Sequence, residues 1–305
     1  MNQMRVIACI LCFISSDIHA QVTGTAGSKQ QYPVWEKSAF SFIPRSFQRD
    51  PKADVVILTE FSALGRKLPK VTPSNPVYYV AGDSGMKEEG EVIAGETPPK
   101  DAVLKKAMVS SLKTNGYLPY DAKHPPSLVI FFRWGSFNQK HSIDDPMGVN
   151  GPDLSNPTPP DPIEIMDLAE RAALIGGQDF ALKLLKSIQH NTLDNFANSD
   201  EHVRWLVDEC YTNRYFIIAS AYDYENALKK KKVLFWRTKI STNSLGLTMD
   251  DSIPALTINA GPFFGRETPS PVKLNRPVIK EGHVDIGSAT VIQDSDPFIK
   301  TASPK

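Results

Sequence analysis

Apolar residues occur along the chain in short runs that predict β-strands. The runs cover 54–61, 127–137, 215–224 and 233–242, and they are rich in β-branched and aromatic side chains. The run 127–137 carries apolar groups at both odd and even positions, which predicts a central strand that is covered on both faces. The run 233–242 alternates apolar with polar residues, which indicates one packed face and one wetter face.

Two further strands are predicted outside these four runs, at 77–80 and at 284–292. Residues 82–100 are rich in glycine and glutamate and predict a loop. Four lysines at 229–232 predict a polar turn between the last two of the long runs. Those two strands are therefore expected to pair as an antiparallel hairpin.

Apolar residues at helical spacing predict helices in much of the remaining chain. One helix covers 102–115 and another covers 251–260. Two helices separated by a Gly-Gly pair at 176–177 predict an αα-hairpin. A further helix is predicted to begin near Asn198, because Glu201 follows three residues later as in a capping box.

This order of elements predicts one α/β domain, in which a mainly antiparallel sheet is packed with helices. Six prolines and two glycines between Asp145 and Pro162 predict a long exposed loop. The loop and the helical hairpin after it form a predicted insertion at 138–198. The domain is expected to span 53–305, and residues 21–52 are expected to form an extended arm that lies on it.

The first 20 residues predict a secretory signal peptide. Arg5 precedes the apolar stretch Val6–Ile14, and Ile18-His19-Ala20 offers a cleavage site before Gln21. The apolar stretch is too short to cross a bilayer, which takes about 20 residues in a helix. We therefore expect an exported protein of the periplasm or the cell envelope, without a transmembrane segment.

Composition argues against several functional classes. Lys plus Arg and Asp plus Glu both number 34, so no net charge attracts the chain to nucleic acid or to an anionic membrane. Cys210 is the one cysteine outside the predicted leader, which predicts no intramolecular disulfide and no cysteine-based zinc site. Because Cys210 shares an apolar helical stripe with Leu206 and Val207, we predict a buried, unreactive thiol.

No segment matches a nucleophile elbow, a phosphate-binding loop, a dinucleotide-binding glycine set or a paired-histidine metal motif. The sequence therefore predicts no catalytic residue, no metal ligand and no cofactor. The candidate binding residues are the lysines, as contacts to an anionic group, and two aromatic strand residues, as the lining of a groove. These candidates are Lys229, Lys230, Lys231, Lys232, Trp134 and Trp236. Their alternative roles are a solvated hairpin tip for the lysines and core packing for the tryptophans.

Three segments carry a resemblance to known proteins. A helix ends in Leu112-Lys-Thr-Asn-Gly-Tyr117, the strand Ser127-Leu-Val-Ile-Phe-Phe-Arg-Trp134 follows, and a hairpin closes with Lys232-Val-Leu-Phe-Trp-Arg237. This order, together with Gly261-Pro-Phe-Phe-Gly-Arg266, resembles a group of uncharacterised exported proteins and lipoproteins of Gram-negative bacteria. Their α/β sandwich is similar to the N-terminal domain of the Tol translocation protein and to lipoprotein activators of peptidoglycan synthases.

The resemblance covers residues 50–137 and 200–292 and supplies no catalytic residues. Ser127 stands where an acidic residue is common, and the sequence has no lipobox, so neither a lipid anchor nor synthase activation is implied. What the resemblance implies is a non-enzymatic, envelope-associated binding or assembly protein. Its expected partner is another envelope protein rather than nucleic acid. The alternative is an envelope hydrolase or carbohydrate-binding protein whose carboxylates are dispersed in sequence but convergent in space.

Overall fold

The structure, a computed structural model, describes residues 52–91, 96–139 and 162–277. The predicted signal peptide, the predicted arm up to residue 51, the Pro-rich loop from 140 to 161 and the predicted strand at 284–292 lie outside these ranges. In chain order the elements are β1 (Lys52–Phe61), β2 (Val77–Glu89), α1 (Asp101–Lys113), β3 (Tyr117–Pro119), β4 (Leu128–Phe137), α2 (Pro162–Gly176), α3 (Gln178–Gln189), α4 (Leu193–Ala197), α5 (Glu201–Cys210), β5 (Arg214–Asp223), α6 (Tyr224–Leu228), β6 (Leu234–Asn243), α7 (Met249–Asn259) and β7 (Val272–Pro277), with 3-10 turns at Gly65–Lys67 and Gly261–Phe263.

The seven strands of the described residues form one sheet with the order β3-β2-β4-β5-β6-β1-β7. β2 pairs in parallel with β3 and β4, and the other neighbouring pairs are antiparallel. The chain therefore has the predicted α/β fold with a mainly antiparallel sheet. β4 lies inside the sheet, as the apolar pattern of 127–137 predicted, and β5 and β6 form the predicted hairpin around the four lysines.

Helices cover both faces of the sheet, so the domain has three layers. On one face, which we call the α7 face, alternate strand side chains form a large apolar core under α1 and α7. On the opposite face, the α2 face, Val56 packs under α2, α3 and α5, and Leu174 of α2 packs on Phe137 and Phe216. Side chains alternate between the faces along each strand, so the register of a residue decides which layer it joins. The α7-face core includes Ile57, Ile130, Ile217, Trp236 and Ile240.

β2 is longer than the sequence pattern predicted. The predicted loop begins at residue 82, but the strand continues to Glu89, so the prediction is wrong from 82 to 89. The ladder to β4 shifts register between Asp83 and Met86 and then resumes. Pairing with a central strand thus overrides the weak strand propensity of glycine and glutamate.

α5 begins later than the sequence pattern predicted. The helix covers Glu201–Cys210, and the side chain of Asp200 accepts a hydrogen bond from the backbone nitrogen of His202 at 2.7 Å. Asp200 is therefore the N-cap, and the capping box based on Asn198 is wrong. Asn198 instead follows the short helix α4, whose five residues are too few to show a periodic stripe.

The predicted helical hairpin is observed, and it packs directly on the sheet. α2 and α3 meet at Gly177, whose φ of 87° is a conformation that side chains rarely adopt. A Cβ on Gly177 would lie 2.8 Å from Oε1 of Glu60, so the junction of the helices contacts β1 closely. In the part of the chain that the structure describes, no helix is both long and apolar enough to cross a membrane.

Candidate anion-binding site

The structure separates the residues that the sequence singled out. Lys229–Lys232 are exposed in the loop between α6 and β6. Trp134 and Trp236 lie in the α7-face core, where 6% and 2% of their surface is exposed. Trp236 packs edge-to-face on Tyr117, with the ring centroids 5.3 Å apart. The lysine side chains therefore offer a surface to a partner, whereas the indole rings do not.

Each tryptophan has an arginine as a neighbour in its strand, Arg133 in β4 and Arg237 in β6. Because successive side chains of a strand point to opposite faces, burying the indoles on the α7 face directs the two arginines to the α2 face. Both arginines are partly exposed there. Sequence reasoning placed Arg237 on the wetter face of its strand but selected neither arginine as a site residue. The prediction of a wetter face is wrong for Lys239 and Ser241, which are buried on the face that α2 covers. The signal that finds them is the Arg-Trp or Trp-Arg pair in each strand.

Arg237 keeps an unbalanced positive charge. Its Nε donates to Oγ of Ser220 at 3.0 Å and its Nη2 donates to the hydroxyl of Tyr222 at 3.5 Å. The residue opposite Arg237 in β1 is Glu60, whose carboxylate instead pairs with Nζ of Lys239 at 2.7 Å. No carboxylate within the described ranges forms an ion pair with Arg237. Two neutral hydroxyl groups thus orient the guanidinium without cancelling its charge.

Arg133 is only partly neutralised. Its Nη2 donates to Oε1 of Glu89 at 3.2 Å, but the same carboxylate also pairs with Lys87. Nε of Arg133 is buried and has no hydrogen-bond acceptor among the residues described. Burial lowers the pKa of Arg133, the charge of Glu170 opposes that change, and the positive charge of Arg237 adds to it. The two arginines lie on either side of β5, with Arg133 opposite Ile218 and Arg237 opposite Ser220.

An aromatic pair lies beside the two cations. Phe131 and Tyr222 pack edge-to-face with their ring centroids 5.9 Å apart, and both remain partly exposed. In the ladder Phe131 is opposite Ser220, which is in turn opposite Arg237. The ring of Phe131 therefore lies in the same row of side chains as Arg237, and Tyr222 is two residues after Ser220 in β5. We call the set of five residues the arginine strip: Phe131, Arg133, Ser220, Tyr222 and Arg237.

The arginine strip suits the binding of an anion. Two like charges on the same face of a sheet repel each other, and an anion that binds beside them reduces this repulsion. A guanidinium group presents donors in a fork that matches a carboxylate or a phosphate. The adjoining rings add apolar contact for the group that carries the anion.

Other charges on the α2 face lie deeper and hold the layers together. Arg214 is fully buried, pairs with Glu209 and donates through Nε to Oγ of Ser241 at 3.1 Å. Arg171 of α2 donates to the carbonyl of Cys210 at 3.0 Å. The bonds of Arg214 connect α5 to β5 and β6, and the bond of Arg171 connects α2 to α5. The buried guanidinium groups offer no surface to a partner.

Within the described residues there is no group of three or more His, Cys, Asp or Glu side chains that could hold a metal ion. No protein-family model and no curated protein matches this chain. The function is therefore proposed from the chemistry of the arginine strip and of the exposed lysines.

Proposed function

We propose that this chain is an exported, envelope-associated binding protein that works without catalysis and binds an acidic segment of another envelope protein. The observation that carries the proposal is Arg237, a partly exposed guanidinium whose hydrogen-bond partners are two hydroxyl groups. A carboxylate of the partner would accept further hydrogen bonds from the guanidinium group of Arg237 and would reduce the repulsion between Arg237 and Arg133.

The exposed lysines support a contact longer than one side chain. Lys229–Lys232 and Arg237 belong to the same hairpin, with Arg237 five residues after Lys232 in the sequence. Five residues of extended chain span roughly 17 Å. An extended acidic segment of about six residues would reach from the lysine loop to the arginine strip. The predicted signal peptide and the resemblance to exported bacterial proteins favour a partner in the cell envelope.

The test is photo-cross-linking in the native host, with a photoreactive residue in place of Leu228. This side chain is 44% exposed and immediately precedes the lysines. We expect one discrete cross-linked adduct with an envelope protein. Arg237→Gln should reduce its yield by roughly tenfold or more, because a hydrogen bond to a charged group contributes about 1.5–3 kcal/mol. Replacing the four lysines by glutamine should also reduce the yield.

The matched control is Arg204→Gln, which removes an exposed arginine of α5 that lies outside the arginine strip. This variant should give the wild-type yield. An adduct whose yield is the same in wild type and Arg237→Gln contradicts the proposed contact.

The catalytic alternative is tested on the same purified protein with a panel of glycoside, peptide and ester substrates. The binding proposal expects no turnover. Turnover that disappears after a single Asp or Glu substitution, in a variant that still folds, would establish the envelope hydrolase instead.

A further inference from the structure

A carboxylate of the chain itself, that of Glu89, already binds one member of the arginine strip. Its Oε1 accepts a hydrogen bond from Nη2 of Arg133 at 3.2 Å and also pairs with Nζ of Lys87. The contact can be reached from solvent, because 20% of the Glu89 side chain and 32% of the Arg133 side chain are exposed. Glu89 therefore occupies a donor of the same kind that the acidic segment of the partner would use.

The β2–β4 ladder fixes the position of Glu89. The residue opposite Glu89 is Phe137, which packs on the α2 face, and the backbone nitrogen of Asn138 donates to the carbonyl of Glu89 at 2.9 Å. Because successive side chains of a strand point to opposite faces, Glu89 points to the α2 face and Glu88 points away from it. Strand pairing therefore holds the carboxylate of Glu89 on the same face as Arg133.

The bond between Glu89 and Arg133 can be exchanged. Lys87 pairs with the same carboxylate oxygen, so Glu89 keeps an ion pair after it loses Arg133. Solvent screens a partly exposed ion pair, which makes the bond to Arg133 weak. Nε of Arg133 is buried and has no acceptor among the residues described, so the guanidinium still has a donor to offer. A carboxylate from a partner can therefore take the place of Glu89.

We propose that Glu89 competes with the acidic segment of the partner for Arg133, and that this competition makes the arginine strip select a segment with two acidic residues. The inference rests on the proposed function and gives the two arginines different roles. Arg237, whose acceptors are two hydroxyl groups, binds the first carboxylate without competition. Arg133 binds only a second carboxylate that replaces Glu89.

The spacing of the two arginines fits two acidic residues of one extended segment. Arg133 and Arg237 lie on the strands either side of β5, and the residues opposite them in β5, Ile218 and Ser220, are two positions apart. Two strand spacings and a two-residue offset separate the Cα atoms of the arginines by roughly 12 Å. Residues three or four positions apart in an extended chain are about 10–13 Å apart. Acidic residues at that separation therefore match the two arginines.

The experiment measures the binding of fluorescein-labelled hexaglutamate to the purified protein by fluorescence anisotropy, at one low ionic strength. Glu89→Gln should tighten binding by roughly twofold to fivefold, the range expected when a partly exposed ion pair no longer competes. Glu88→Gln is the matched control, because it removes the same charge from the neighbouring, exposed residue on the opposite face of β2. This variant should bind hexaglutamate as the wild type does.

Two further comparisons connect the gain to Arg133 and to the number of acidic residues. In an Arg133→Gln background, Glu89→Gln should no longer tighten binding, because the donor for which Glu89 competes is absent. A labelled peptide with a single glutamate among five serines should gain less from Glu89→Gln than hexaglutamate does, since one carboxylate does not contact both arginines.

Equal affinities of the wild type and Glu89→Gln for hexaglutamate would overturn the inference. So would an equal gain in Glu88→Gln, a gain that persists in the Arg133→Gln background, or an equal gain for the two peptides. Arg237→Gln separates this inference from the proposed function. If Arg237→Gln weakens binding but Glu89→Gln changes nothing, the role of Glu89 alone is wrong. If Arg237→Gln binds as tightly as the wild type, or if no variant binds, the proposed function fails as well.

Discussion

At the scale of single residues, His202 makes stability depend on pH. Its ring is buried and both ring nitrogens lack hydrogen-bond partners among the residues described. Burial lowers the pKa of His202 from the ordinary value of 6.5, although the charge of Asp200 opposes this. Below about pH 6.5 the unfolded chain binds a proton that the folded chain resists, so stability falls as the pH falls towards the folded-state pKa.

We therefore expect the free energy of unfolding to decrease when the pH drops from 7 to 5, and His202→Phe to weaken this decrease. Urea unfolding at several pH values measures it. The exposed His190 supplies a control, because His190→Gln should preserve the wild-type pH dependence. If His202→Phe and wild type lose stability equally between pH 7 and 5, His202 is not the titrating group.

The apolar stripe of α5 predicts that the Cys210 thiol is buried and unreactive. The structure confirms that the residue is buried, and its Sγ donates to the carbonyl of Leu206 at 3.1 Å. Burial raises the pKa of the Cys210 thiol to about 12. We expect a thiol reagent to modify the folded protein slowly and the urea-unfolded protein at once, and Cys210→Ala to cost about 1 kcal/mol. Rapid labelling without urea would show that this helix opens readily.

At the scale of elements, Gly135 permits β2 and β4 to pair closely. Its φ is 155°, and a Cβ there would lie 1.8 Å from the carbonyl oxygen of Lys87. Gly135→Ala should therefore lower the free energy of unfolding by about 1–3 kcal/mol, because the two strands must move apart.

Gly85 in β2 is the control, since its φ is 78° but an added Cβ meets no atom within 4 Å. Gly85→Ala should show only the backbone cost, about 1 kcal/mol. Equal losses in urea unfolding for the two variants would contradict the close contact.

The α2 layer is held by a buried ammonium group. Nζ of Lys239 donates to the carbonyl of Ala173 in α2 at 2.7 Å and pairs with Glu60 at 2.7 Å. Burial lowers the pKa of Lys239, and the carboxylate of Glu60 opposes that change. Glu60→Gln should lower the free energy of unfolding by about 1–2 kcal/mol, because it leaves the ammonium group of Lys239 buried without its carboxylate partner. The loss is limited because Glu60 is itself partly exposed, so solvent screens its charge.

Lys239→Met should cost less than Glu60→Gln, because methionine leaves no charge in the interior and the carboxylate of Glu60 can turn to solvent. Thermal or urea unfolding of the two variants gives the comparison. A larger loss for Lys239→Met would mean that its bond to Ala173, rather than the balance of charge, stabilises this layer.

At the scale of the whole molecule, export is the prediction that precedes all the others. The order of Arg5, the apolar stretch Val6–Ile14 and Ile18-His19-Ala20 predicts cleavage after Ala20. We expect the intact mass of the protein from its native host to correspond to a chain that starts at Gln21. A chain that retains Met1, or one that carries a lipid on Cys12, would exclude this form of export.

The sequence by itself determined the strands at 54–61, 127–137, 215–224 and 233–242, the α2–α3 hairpin and the burial of Cys210. These features follow from apolar residues at a period of two or of 3.6, which is a local property of the chain. The sequence could not extend β2 to Glu89, because the β4 ladder that stabilises those residues comes from a segment far along the chain. It also could not identify Asp200 as the N-cap of α5, because a single side-chain hydrogen bond decides that boundary.

Only the tertiary structure decided which side chains form a candidate site. The sequence pattern separates the face of 233–242 that carries Trp236 from the face that carries Arg237, but it does not say which face of 127–137 is buried more deeply, because both faces of that run are apolar. Once the sheet buries both indoles under α1 and α7, the alternation of the pleat places Arg133 and Arg237 together on the opposite face. Their nearness depends on β5 pairing with both strands. Strand pairing between distant segments is a property of the folded chain, so the arginine strip exists only in three dimensions.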